Sequence, residues 1–559
     1  MEIKPILNLK WYKNIDSYSD GDVEDAIIDY VKENEPEDYG KTIIEHYSWP
    51  VYYHLTHTRK NILNWYPFKK EASVLEIGCG LGAITGLLCD RCKKVTAVEL
   101  SKRRAMAAQI RCREKENLEI IVGNLNDVEF EEKFDYITLI GVLEYQGTYT
   151  DSANPYQDFL VKVKSLLKED GKLLIAIENK YGVKYWCGAP EDHTGIPFDG
   201  INQYKLSGRK VRTFSREELR ELINKSGFND TFYYFPFPDY KLPTVVYSEK
   251  YMPNNSSLEN AIPYYIPSDR TLIAEEEALY KDFIKNNVFD FFANSFLVEC
   301  SGKRMEEEKV IFALLNSKRQ KEYRIGTLIT DSGKVLKMPL EQNEYIHNHL
   351  KQTLENMKGL EERGVQALDC NLSEKNELLT EYQHFPTMEM LLRETIGNND
   401  TKSAIAMCDR LLKEIEKSSD IVEQKECMIY ELGLDQYQGD EKYGKILRKG
   451  YLDMIPRNCF VKKEEWIWFD QEWMLENVPS KFILFRGLLE IYISFPELRT
   501  ILPFEKVMQH YGIDEHLKVF LSFNQLFYNM VIDRYYGGFE VEKRDREIYM
   551  KNVRKILGM

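Results

Sequence analysis

The chain of 559 residues is too long for one ordinary hydrophobic core, so two or more domains are expected. Its 43% hydrophobic and 30% charged residues are those of a soluble globular protein. A net charge of −15, without any Lys/Arg-rich tract, argues against nucleic acid as a partner. The first residues lack the apolar core of a signal peptide and no run of about eighteen apolar residues occurs, so a cytoplasmic location without a membrane span is expected. Of the ten cysteines only Cys89 and Cys92 form a C-x-x-C pair, and without a second pair nearby they read as thiols rather than zinc ligands.

Residues 1–40 are polar and acidic, an N-terminal extension with one predicted helix at 23–34. Residues 41–66 carry His54, His57 and Arg59 and end in a predicted helix. The chain is then organised around a short buried strand, Val74 to Ile77, followed by Gly78, Gly80 and Gly82 and a helix start at Ala83. Glycine is needed where a turn takes positive φ or a ligand approaches the backbone. Strand, glycine turn and helix N-terminus make a nucleotide-type cradle. A second apolar run from Val95 ends in Glu99, whose carboxylate can accept both hydroxyls of a ribose. Gly78, Gly80 and Ala83 also fit the dinucleotide G-x-G-x-x-G/A pattern, so a nicotinamide-dependent oxidoreductase stays open at this point.

The continuation narrows the choice. Apolar runs are predicted at 118–124, at 134–140 leading into Gly141, and at 172–179, with a helix at 156–167. This series resembles the class I S-adenosylmethionine-dependent methyltransferases over roughly residues 40–247. The resemblance implies an α/β, Rossmann-like seven-stranded domain at 41–248, with S-adenosylmethionine as cofactor. It also implies that Glu76 meets the methionine amino group and that Gly78, Gly80 and Gly82 lie against the donor. Asn124 would meet the adenine, residues 141–145 would face the transferred methyl, and His54, His57 and Arg59 would cover the methionine end. The irregular loop at 180–195 reads as functional, with His193 the candidate catalytic base or acceptor contact. Ser215 and Glu218 form a predicted capping box. Strands at 231–235 and 244–248 are expected to close the sheet, and 249–287 to form a linker with turn formers at Pro253 to Ser257 and a helix at 275–286.

From residue 288 the pattern becomes antiparallel, with a hairpin turn at Thr330 to Gly333, a helix at 343–363 and a strand at 378–382. Asp453 and Asn458 then stand five apart, and Asp470 follows at the end of an apolar strand. A loop aspartate orients an acceptor hydroxyl, while an asparagine and a second aspartate hold magnesium on phosphates. The stretch resembles the kinase catalytic loop and its metal-binding aspartate. Tyr451 stands in place of the usual histidine, and Gln471-Glu472 follows Asp470. The resemblance implies an α+β protein-kinase-like domain at 288–559 with a helical C-terminal part. Asp453 would be its base, Asn458 and Asp470 its Mg2+ ligands, and Lys337 the contact to the ATP phosphates, with Glu355 or Glu344 as the lysine's helix partner.

A methyltransferase followed by a kinase-like domain resembles the bifunctional methyltransferase–kinases that terminate O-antigen chains. That implies a glycan or phosphorylated sugar acceptor and glycosyltransferases of the same pathway as partners. No base stands out beside 141–145, so an already anionic phosphate is the expected methyl acceptor. The alternative is a methyltransferase whose kinase-like half is a non-catalytic binding module.

Overall fold

A computed structural model describes residues 3–14, 21–254, 258, 273–304, 306–439, 441–533 and 535. The chain divides into two compact units, residues 1–317 with 330–332, and residues 318–329 with 333–559. No helix among the described residues is long and apolar enough to cross a membrane.

The first unit is built on one sheet. Its strands are β1 (Ile6–Asn8), β2 (Ser73–Ile77), β3 (Lys94–Glu99), β4 (Leu118–Val122), β5 (Phe134–Ile140), β6 (Leu167–Glu178), β7 (Asp230–Phe237), β8 (Val245–Ser248), β9 (Ser295–Ser301) and β10 (Val310–Leu315). They lie in the order β1-β4-β3-β2-β5-β6-β9-β7-β8-β10. From β1 to β6 neighbouring strands are parallel. Strands β9, β7, β8 and β10 then continue antiparallel. The central strands are almost wholly buried because both faces are covered, as in other parallel sheets. The helix Lys102–Arg111 turns Ala105, Ala107 and Ala108 to the core, and these small side chains bring it close to the glycine turn after β2.

One expectation is corrected here. Strand β9 was read as the opening of the second domain, yet it inserts between β6 and β7 and pairs with both. The boundary expected at residue 288 therefore falls inside the first unit. A local reading pairs strands that are neighbours in sequence, and nothing short-range marks a strand that returns across the sheet. The extension at 1–40 also joins this unit, with β1 extending the sheet and a helix at Asp22–Glu33. The helix expected at 275–286 is present as Glu276–Lys285, and the capping box at Ser215 and Glu218 forms as read. The turn formers at 255–257 and the tail beyond residue 535 lie outside the described residues.

In the second unit β11 (Ile325–Thr330), β12 (Lys334–Pro339), β13 (Asn371–Leu372) and β14 (Leu378–Glu381) form an antiparallel sheet in the order β11-β12-β14-β13. The helix Glu344–Glu362, capped by Asn343, buries Ile346 and Leu350 against Ile325 and Leu378. A larger, mostly helical part follows, with helices at Met388–Gly397, Thr401–Lys417, Ser480–Ser494 and Leu517–Val531 around one apolar core. Within it β15 (Ile421–Val422), β16 (Ile446–Tyr451) and β19 (Met474–Pro479) form a small sheet, and β17 (Cys459–Lys462) pairs with β18 (Glu465–Trp468).

Candidate active site

Parallel strands bring their carboxyl ends to one edge, which is where open α/β sheets bind ligands. The ends of β2, β3, β4, β5 and β6 all contribute to one cavity of about 460 Å³, within the range of small-molecule sites.

At one end the main chain does the shaping. Gly78, Gly80 and Gly82 hold φ of 76°, 55° and 75°, the left-handed region that glycine enters without penalty. A Cβ at Gly82 would stand 2.9 Å from the Ala108 Cα, so the turn and the following helix fit only with glycine there. Glu99 fixes the turn: its Oε2 accepts from the Gly80 N–H at 2.8 Å and its Oε1 from the Ser101 N–H at 3.1 Å. Each oxygen keeps a lone pair for a ribose hydroxyl.

Glu76 is buried, and its Oε2 has no hydrogen-bond partner. Burial, reinforced by the nearby Glu99, pushes its carboxyl up to about 7 against the opposing influence of Thr85 and, less, of Arg59. A buried carboxylate with an open oxygen on a cavity suits an ammonium, which is what the methionine end of S-adenosylmethionine carries. Arg59 lines the same space, its Nη1 donating to the carbonyls of Tyr240 and Lys241 at 3.1 Å. Asn124 lines it too, although its amide is engaged in its own loop, donating to the Tyr149 carbonyl and accepting from the Asn126 N–H. His54 reaches the cavity, whereas the His57 ring is turned to the Ser317 carbonyl at 2.6 Å and does not line it. Residues present at this end therefore fit the donor.

The opposite end is built from side chains. Gly141, with φ of 72°, ends β5 and opens space between the donor residues and Glu144. Glu144 and Glu178 are buried, and each leaves its Oε2 without a hydrogen bond. His193 stands beside both, its Nε2 3.7 Å from Glu144 Oε1 and 4.0 Å from Glu178 Oε2, while its Nδ1 meets Glu191 Oε1 at 2.9 Å. Burial disfavours the imidazolium, but Glu178, Glu144 and Glu191 outweigh it and hold His193 protonated well above the usual histidine range. Burial raises Glu144. Lys241 pairs with Glu178 and with Asp192, and Lys184 links Asp192 to Asp239.

His193 was singled out from the sequence as a base. The structure places it at the acceptor end as a charged member of an acid cluster. Glu144 lies in the 141–145 segment expected at the methyl, whereas Glu178, Asp192, Tyr240 and Lys241 join the site with no role expected from the sequence. The readable signal was Glu178 itself, a carboxylate closing an otherwise apolar strand.

The second unit gathers its own polar group. Lys337 on β12 is buried and pairs with Asp470 and with Glu472, the latter at 2.5 Å. Arg319 and His349 also face Glu472. Asp453 Oδ2 accepts the N–H groups of Glu472 and Trp473 at 3.0 and 3.1 Å, and Arg486 stands 3.5 Å from Oδ1. Burial raises the Asp453 carboxyl to about 7. Asn458 donates to the Asp453 carbonyl at 3.3 Å, and Asp470 holds a left-handed φ of 57°, the kind of strain that gathers at functional sites. The expected helix partner of Lys337 is corrected: Glu344 and Glu355 are both exposed, and Glu472 from the loop takes that place.

A family described as a methyltransferase domain matches residues 75–175. The chain is 33% identical over 169 residues to an uncharacterized methyltransferase of Staphylococcus carnosus (strain TM300), covering 30% of this chain and 75% of that one. It is 30% identical over 111 residues to the (S)-coclaurine N-methyltransferase of Papaver somniferum, covering 19% of this chain and 30% of that one, so it spans under a third of that relative. Among solved structures, the N-methyltransferase NodS from Bradyrhizobium japonicum WM9 in complex with S-adenosyl-L-homocysteine is 19% identical, with 27% of this chain and 78% of that one covered and a TM-score of 0.22. With its Rossmann-like sheet and the glycine turn after β2, the chain belongs to the S-adenosylmethionine-dependent methyltransferases of class I.

Proposed function

We propose that the chain methylates a hydroxyl of a glycan or glycan precursor, and that its second unit is a kinase-like phosphotransferase of the same pathway. The observation that carries the acceptor reading is the pair of buried, unpartnered oxygens on Glu144 and Glu178 at the far end of the donor cavity. When bound, S-adenosylmethionine supplies a methyl group made electrophilic by its sulfonium. Glu99 takes the ribose hydroxyls, Glu76 takes the ammonium, and Gly141 leaves the space between donor and acceptor. Glu144 or Glu178 accepts the one hydrogen bond that the incoming hydroxyl can donate and holds its oxygen in line, and such positioning supplies a large part of a rate enhancement.

The acid cluster also bears on what the acceptor is. Of the charged groups that line this end, Glu144, Glu178 and Asp192 stand against Lys241 and His193. The excess of one carboxylate favours a neutral polyol over a bare phosphate. The expectation of a phosphate acceptor rests on there being no base beside 141–145, and the Glu144 carboxyl, in its ionised form, is such a base. Mass spectrometry of glycans from cells with and without the protein tests this reading. A methyl ether lost with the protein supports it, and a lost phosphate methyl ester contradicts it.

For the second unit, support comes from Lys337, Asp453, Asn458 and Asp470 standing in one polar group around Glu472. When bound, ATP with Mg2+ supplies the phosphoryl group. Lys337 is the cation placed for phosphates, Asn458 and Asp470 offer the oxygen ligands that Mg2+ takes, and Asp453 faces the acceptor hydroxyl. Asp470→Asn should abolish phosphoryl transfer while leaving S-adenosylmethionine affinity within twofold. Failure of the wild type to bind ATP with Mg2+ at millimolar concentration favours the second reading, a non-catalytic binding module. Asp453 supplies a specific reason to keep that reading, because its Oδ2 is already bonded to two backbone N–H groups.

A further inference from the structure

We propose that the acceptor end of the first unit's cavity is a divalent-cation site, formed by Glu144, Glu178 and His193, that takes an ion of the Mn2+ class and through it the acceptor hydroxyl. The proposal rests on reading this cavity as a donor site joined to an acceptor site.

Convergence is the first observation. One ligand atom from each of the three residues lies within 4.8 Å of the other two, the only such group of His, Cys, Asp or Glu among the described residues. The Nε2–oxygen separations of 3.7 and 4.0 Å matter. Donors about 2.2 Å from a shared ion stand about 3–4 Å apart. Donors around an ammonium, at about 2.9 Å each, stand about 4.5 Å apart. The two observed separations are within reach of a small metal ion, and the three donor atoms all lie within 4.8 Å of one another.

Unmet valence is the second. Glu144 is 1% and Glu178 0% exposed, yet each keeps an Oε2 without a hydrogen-bond partner, the Glu178 oxygen facing the His193 ring only at 4.0 Å. A buried carboxylate oxygen left without a partner is costly, and a cation removes the cost.

The third observation is the shell behind the ligands. Ligating histidines donate their other ring N–H to a carboxylate, which fixes the ring. His193 does so through Nδ1 to Glu191, leaving Nε2 towards the two carboxylates. Glu191 is itself held by the N–H groups of His193 and Thr194 at 2.8 Å and by the Tyr204 hydroxyl at 3.0 Å. Glu178 is held through its other oxygen by Tyr240 and Lys241. A mixed set of two carboxylates and one imidazole, with the remaining positions open to the cavity, suits Mn2+ or a similar ion.

The chemistry follows. A hydroxyl coordinated to a divalent ion is more acidic than a free one. Its oxygen attacks the methyl carbon, so the new C–O bond forms as the C–S bond breaks. S-adenosylhomocysteine leaves as a neutral thioether, and the hydroxyl proton passes to water at the cavity mouth.

The test is a titration of chelator-stripped full-length protein with Mn2+, without donor or acceptor, followed by calorimetry and electron paramagnetic resonance. The wild type should bind Mn2+ in the micromolar range. Glu144→Gln and Glu178→Gln should each lose one equivalent while keeping S-adenosylmethionine affinity within twofold, which shows that they are folded. His193→Gln should lose the imidazole-nitrogen coupling in the pulsed spectrum. Unchanged Mn2+ stoichiometry in both carboxylate variants overturns the site, as does full methyl transfer by chelator-stripped enzyme. A cationic amine acceptor whose binding falls tenfold in these variants, with no change in Mn2+, replaces the ion with an ammonium. Absence of S-adenosylmethionine binding by the wild type would instead defeat the reading of the cavity, and the Mn2+ titration is judged apart from it.

Discussion

The two ends of the first unit's cavity are made by different means. The donor end is mostly main chain, three left-handed glycines pinned by one carboxylate from the next strand. The acceptor end is mostly side chain, with Glu144, Glu178, His193 and Tyr240 drawn from separate segments. The first kind of site tolerates little change, because its shape is the backbone's shape. In the second, side chains can be exchanged while the sheet stays intact, so the acceptor is free to differ between proteins with the same donor site.

If that contrast is right, damage at the donor end should be the most severe. Glu99→Ala removes the acceptor of two backbone N–H groups and of the ribose hydroxyls. Charge-assisted bonds are worth about 1.5–3 kcal/mol each, so S-adenosylmethionine affinity should fall about a hundredfold by calorimetry. A loss under threefold would mean that the ribose sits elsewhere.

Gly82→Ala comes next. Its Cβ would stand 2.9 Å from the Ala108 backbone at a φ of 75°. Denaturant unfolding should show about 2–3 kcal/mol of lost stability, and an unchanged midpoint would show that the turn relaxes freely.

A smaller effect sharpens the comparison through pH. The Glu76 carboxyl is raised from an ordinary 4.5 to about 7. Its contribution to folding is therefore fully present below pH 4.5 and lost as pH rises through about 7. Donor binding runs the other way, because the ammonium is met by the ionised form. Affinity should fall about fivefold from pH 7 to pH 6, and Glu76→Gln should bind more weakly with no such slope. A sloping profile in that variant would assign the titration to another group.

The smallest expected effect on donor binding is at the other end. Glu144→Gln should leave donor affinity within twofold while methyl transfer falls at least tenfold. Equal losses in both would show that the two ends are one site.

The same contrast explains what the sequence disclosed. Gly78, Gly80, Gly82 and Glu99 were legible because a tight turn and the end of the next strand fix residue types at short spacing. The capping box at Ser215 and Glu218 was legible for the same reason. Strand β9 was misplaced because its partners β6 and β7 both precede it and lie on either side of it. Glu178 could be read only as a strand end and Glu144 only as part of the turn after β5, since nothing local announces that the two converge on a loop histidine. In the second unit the spacing of Asp453, Asn458 and Asp470 was visible. The replacement of a helix glutamate by Glu472 beside Lys337 was not, because it depends on how a loop folds back.

The most direct measurement is a crystal structure of the protein grown with S-adenosylhomocysteine. The account predicts the ribose on Glu99, the homocysteine ammonium at Glu76, and the sulfur directed past Gly141 towards Glu144 and Glu178. A ligand bound with its ammonium among Glu144, Glu178 and His193 would contradict it, because the acid cluster would then belong to the donor.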